Sequence, residues 1–201
     1  MGERHAGGRP RTFDEDHALR RAVDVFWRLG YEGASMAELT QAMGINKPSL
    51  YAVFGGKENL FIRALEQYGR TAHENLAAVL ARPTVYGVLE SYLRATATSV
   101  RAGSAPGCLS IQGGLACGPN NARVPQLLAD YRRNIEAAVA GALAATEDAA
   151  TVDTAALARF AVTIGQGLAV DAAGGTSQDK LDTAVDVALA GLARLLAPQR
   201  C

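Results

Sequence analysis

Side chains able to do chemistry are sparse in this chain, and those present do not converge on a reaction. His5, His17 and His73 are distant from one another and no short-spaced ligand cluster accompanies them, so no metal site is expected. No Ser/His/Asp constellation, no phosphate-binding glycine loop between a strand and a helix, and no pair of catalytic carboxylates can be placed. An enzyme is therefore not expected, nor is a cofactor. Cys108 and Cys117 lie in an apolar, glycine-rich stretch. On one continuous helix they would sit on opposite faces about 13 Å apart, beyond disulfide reach, unless Gly113-Gly114 bends the chain. Buried inert thiols are the plainer reading, and thiol-based sensing of oxidants or electrophiles through Cys108 and Cys117 is the sharper one. No basic residue flanks either cysteine closely. Cys201, at the end, is expected to be exposed and incidental.

The stretch from Ser35 to Lys57, SMAELTQAMGINKPSLYAVFGGK, offers hydroxyls and cations on a pattern with a clear structural meaning. Ser35 and Glu38 form a capping box, in which the serine oxygen accepts from the backbone of residue 38 and the glutamate reaches back. Met36, Leu39 and Met43 make one apolar stripe, and Gly44 stands where a left-handed residue ends a helix. A second helix follows with Asn46 as its cap, Pro48 in its first turn, and Leu50 and Phe54 as its inward stripe. Two short helices around a glycine-containing turn are a helix-turn-helix signature.

The elements on either side fit an all-α chain. Leu19, Ala22, Val23 and Phe26 place a helix over 14–29 that Gly30 ends; Trp27, one residue off that stripe, is expected to be a partly exposed packing residue. After Gly55-Gly56, Leu60, Phe61, Ala64, Leu65 and Tyr68 begin a longer helix running to about Ala81, a natural lever between two packing units. Pro83 opens a further helix, and others are expected over about 123–145, from Asp153, and from the Gly-Gly-Thr-Ser turn to near Pro198. The helix after Asp153 is apolar around most of its circumference and is expected to be buried on both sides. The last hundred residues show no convincing strand alternation.

The chain has 201 residues, 49% of them hydrophobic, and zero formal net charge, so a nucleic-acid contact would have to come from a locally basic face. Residues 1–11, with Arg4, Arg9 and Arg11, read either as a frayed terminus or as a basic arm that follows a phosphate backbone or enters a minor groove. No span long enough for a membrane is present, and a soluble, intracellular protein is expected. The organisation expected is a basic arm over 1–11, a helix-turn-helix unit over 12–57 and a helical regulatory and dimerisation region over 58–201.

From Phe26 to Tyr68 the chain resembles the DNA-binding region of the TetR family of bacterial transcriptional regulators. The resemblance rests on Gly30-Tyr31, the capped helix, Gly44-Ile45-Asn46, Leu50-Tyr51, Phe54 and Lys57. It implies an all-α fold: an N-terminal three-helix DNA-binding domain followed by a helical ligand-binding and dimerisation domain. Lys47, Pro48 and Ser49 would then reach base edges in a major groove, with Ser35, Tyr51 and Lys57 on phosphates and Arg11 in the arm. Ala52 and Val53 depart from the polar or aromatic pair of many relatives, and at most contact thymine methyls.

The resemblance further implies a small-molecule effector bound among the C-terminal helices, acting through the fourth helix on the spacing of two recognition helices. Tyr86, Tyr92, Thr96, Cys108, Gln112, Cys117, Tyr131, Phe160 and Gln166 are candidates for its pocket. The last two helices are expected to form a four-helix bundle with a second copy, through Leu157, Ile164, Leu168, Leu181, Val185, Ala188 and Leu192. The function expected is that of a cytoplasmic bacterial repressor, binding a palindromic double-stranded operator as a homodimer and released by an effector. The rivals are a thiol sensor and a helical binding protein or enzyme that does not engage DNA.

Overall fold

A computed structural model describes residues 13–102, 105–113 and 122–197. Arg11 and Cys117 lie outside them, as do the basic arm and Cys201. Among the described residues there are nine α-helices and no strand: α1 (Glu15–Gly33), α2 (Met36–Met43), α3 (Lys47–Phe54), α4 (Lys57–Leu80), α5 (Val85–Ser99), α6 (Leu109–Gln112), α7 (Arg123–Ala144), α8 (Thr154–Ala173) and α9 (Gln178–Leu196). None is long and apolar enough to cross a membrane.

The helix ends follow local chemistry. Asp14, Ser35, Asn46, Thr84 and Asp153 each cap a start by accepting a backbone N–H with the side chain. Gly44 and Gly55 end α2 and α3 in the left-handed region at φ 67° and 74°. α1 runs past its expected end: Gly30, at φ 69° and ψ 177°, breaks the helix, and one more turn follows to Gly33. The break frees the Tyr31 amide, which donates at 3.2 Å to the carbonyl of Gly113, the residue that ends α6.

Two cores result. The first gathers Leu19, Phe26, Leu39, Leu50 and Phe54 from α1–α3, but it is completed by Leu60, Phe61, Ala64 and Leu65 of α4, Leu109 of α6, and Val124 and Leu128 of α7. Apolar packing thus runs across the expected boundary at residue 57. The second core joins α5, α7, α8 and α9 around Leu89, Leu93, Leu143, Ala158, Ala161, Leu181 and Leu189. α4 contributes Leu80 to this second core, so one helix spans both.

Within one chain α8 is buried on one side, with Phe160 and Val170 exposed on its outer face. Of the residues expected at a partner's surface, Leu157, Leu168, Leu181, Val185 and Leu192 pack in the chain's own core, with Ile164 and Ala188 half-buried against it. The most apolar stripe of an amphipathic helix goes to the nearest core, and in α8 and α9 that core is intramolecular. The outer faces carry Phe160, Val187, Gly191 and Leu195, which line a groove of about 420 Å³ with Ala156 and the rims of Leu157, Ala188 and Leu192.

Candidate nucleic-acid interface

The α2–α3 unit presents its polar groups on one side because its apolar ones are committed to the other. Leu39, Met43, Leu50 and Phe54 are buried, whereas Lys47, Pro48, Tyr51 and Ala52 are exposed and Ser49 half so. The capping box is complete: Glu38 N–H donates to Ser35 Oγ at 3.2 Å, and Ser35 N–H donates to Glu38 Oε2 at 2.9 Å. Hydrogen bonds from the Ser35 hydroxyl and then its backbone hold the Glu38 carboxyl below the ordinary glutamate range. Asn46 Oδ1 accepts from Ser49 N at 2.8 Å, and Pro48 has no N–H to leave unsatisfied in the first turn of α3. The phenol of Tyr51, 48% exposed, stands on the same side.

Lys57 is engaged on arrival. Its Nζ donates to the Glu32 carbonyl at 3.3 Å and lies 4.6 Å above the Tyr31 ring, tying the start of α4 to the end of α1. The arrangement offers donors and hydroxyls at two helix N-termini beside an exposed helix face, a geometry that suits phosphate and base-edge hydrogen bonds.

Of the expected pocket residues, Tyr92, Tyr131 and Cys108 come together, and Tyr68 and Trp27 join them. The Tyr68 hydroxyl is 3.4 Å from Cys108 Sγ, which is 3.2 Å from Ser110 Oγ. Tyr68 meets Tyr131 with ring centroids 6.0 Å apart and Trp27 edge-on at 5.2 Å. Burial pushes the Tyr92 phenol up to about 12, and burial raises Tyr68 and Tyr131 as well, so all three stay neutral at physiological pH. Thr96 Oγ1 donates to the Tyr92 carbonyl at 2.8 Å, and Tyr92 lies against Gly165, where an added Cβ would stand 3.2 Å from the phenol oxygen. Gln112 Nε2 donates to Pro106 O at 3.2 Å while its Oε1, like Trp27 Nε1, is buried without a hydrogen-bond partner among the described residues. Gln166 and Tyr86 are half-buried on α8 and α5. Phe160 is a correction: at 42% exposed on the outer face of α8, it stands apart from this cluster.

Tyr68 was legible only as an apolar position of a long helix, and nothing in the sequence marked Trp27 for a seam between α1 and α4. Among the described residues no three His, Cys, Asp or Glu side chains are grouped to hold a metal ion.

A three-helix head with a capped, outward-facing second and third helix defines a helix-turn-helix DNA-binding protein. Residues 18–64 match the signature of the bacterial regulatory proteins, tetR family. The chain is 33% identical over 181 residues to ComR, an HTH-type transcriptional repressor of Escherichia coli K12, covering 87% of this chain and 86% of that protein. It is 38% identical to the E. coli K12 repressor BdcR over 108 residues, 53% of this chain and 55% of that one. A cysteine mutant of the TetR family regulator CifR, solved with double-strand operator DNA, superposes with a TM-score of 0.85 at 38% identity, covering 90% of this chain and 98% of that one. This chain belongs to the TetR family and is a DNA-binding transcriptional regulator.

Proposed function

We propose that the protein is a cytoplasmic repressor, without catalytic activity, that binds a two-fold operator as a homodimer and releases it when a small molecule binds. The reading is carried by the outward face of α3, where Lys47, Pro48, Tyr51 and Ala52 stand clear while Leu50 and Phe54 anchor the helix from behind. Ser35 and Lys57 flank that face at the starts of α2 and α4, and Arg11 would extend the basic contacts from the arm. The exposed groove of Phe160, Val187, Gly191 and Leu195 supports pairing of α8 and α9 with a second copy, which would set two recognition helices at a fixed spacing. ComR and BdcR are repressors and CifR was solved on operator DNA, which favours the same role here.

The effector is proposed to act on the cluster of Trp27, Tyr68, Tyr92, Cys108 and Tyr131, because it touches α1 and α4 as well as the second core. Selection of bound duplexes from a random pool tests the whole reading. Enrichment of a palindrome whose binding falls steeply with salt is expected, and enrichment of none overturns it. A second reading is favoured by the two hydroxyls that hold Cys108 Sγ, which make that thiol itself a candidate sensor. Operator release by N-ethylmaleimide that survives in Cys108→Ser would rule this second reading out.

A further inference from the structure

Arg63 of α4 belongs to none of the sites described so far, yet it touches the end of the recognition helix. Its guanidinium lies 4.8 Å from the centre of the Phe54 ring, and its Nη2 donates to Glu15 Oε2 at 3.0 Å. Phe54 is the last residue of α3 and is buried; Phe13, just ahead of α1, leans on the same ring with centroids 6.4 Å apart. Lys57 makes the matching arrangement at the other end of α1, over Tyr31 and on the Glu32 carbonyl. α4 therefore grips α1 at both ends with a cation that covers an aromatic face, and the end of α3 is held inside one of those grips. An eight-residue helix is marginal by itself, so the direction of α3 depends on what Leu50 and Phe54 pack against.

We propose that Arg63 is a positioning residue of the DNA-reading unit: through Phe54 and Glu15 it fixes the C-terminal end of α3 against α4 and α1, and it raises operator affinity without touching DNA. This rests on the operator-binding reading above. Without the guanidinium the end of α3 samples other directions, and apparent affinity falls with the fraction of molecules that remain competent. A part-exposed cation–aromatic contact and a surface ion pair are each modest, so the loss should be roughly three- to tenfold. The rival role for a half-exposed arginine is a phosphate contact. The two differ in salt dependence, because a phosphate contact adds about one to the slope of log affinity against log salt and a positioning residue adds nothing.

The test uses the full chain as wild type, Arg63→Met and Arg63→Lys. Each is titrated with the duplex recovered by selection at several NaCl concentrations, and amide exchange at Phe54 and Gly55 is followed in the free protein. Arg63→Met should bind roughly three- to tenfold more weakly at an unchanged slope and exchange faster at both amides, and Arg63→Lys, which keeps a cation over the ring, should recover most of the affinity. Wild-type affinity in Arg63→Met, or a slope lowered by about one per protomer, overturns the proposal. If Arg63→Met loses helical content, Glu15→Gln takes its place, with faster exchange at the same amides and an unchanged slope as the expected result. If the wild type enriches no duplex, the operator reading fails separately, and unchanged exchange at Phe54 and Gly55 then overturns the role of Arg63.

Discussion

Ser35 shows how much of the interface depends on single hydrogen bonds. Its hydroxyl and amide are both committed to Glu38, so one residue closes the start of α2 and presents its remaining hydroxyl capacity outward. Ser35→Ala should cost about 1 kcal/mol of unfolding free energy, the usual worth of an N-cap, measured by urea denaturation. The same pair predicts a pH dependence. A carboxyl held below its ordinary value contributes stability that is complete above that value and is lost as the pH falls through the lowered one. The protection of the Ser35 amide, its exchange rate compared with the intrinsic rate at each pH, should therefore be full at neutral pH and fall on acidification below the ordinary glutamate range, and it should already be low at neutral pH in Glu38→Ala.

At the scale of elements, the break in α1 is the feature with most consequence. Gly30 holds φ 69° with ψ 177°, and a Cβ there would stand 3.4 Å from the Gln112 carbonyl of α6. Gly30→Ala should destabilise the chain by about 1 kcal/mol or more, read as a lower thermal midpoint, because a side chain there is strained at this positive φ. Local signals explain why α2 and α3 were readable to within a residue: Ser35, Gly44, Asn46 and Pro48 state their ends in side-chain chemistry. The same signals were silent about α6, a four-residue helix in a glycine-rich stretch whose place is set by Tyr31 and Phe61 from distant parts of the chain. Arg63 was equally unreadable, because its partners Phe54 and Glu15 come from two other helices.

Across the whole molecule, apolar periodicity identified α8 and α9 as packing helices but could not say which stripe faces inward. Both stripes of α8 are apolar, and only the tertiary arrangement separates Leu157, Ala161 and Leu168 from Phe160 and Val170. Val187, 70% exposed on the outer stripe of α9, can change without disturbing the core. Val187→Glu should leave helical content intact, shift the protein to a monomer in sedimentation, and weaken operator binding by roughly a hundredfold as the two half-sites lose their linkage. A dimer that persists with undiminished affinity would place the contact elsewhere.

Trp27 is the single tryptophan of the chain. All indole emission from the protein therefore arises at one seam, where its ring meets Tyr68 edge-on and its N–H is shut away from solvent. The molecule carries a built-in optical gauge of how α4 sits on α1, one that needs no label and reads the joint between the DNA-reading helices and the rest of the fold.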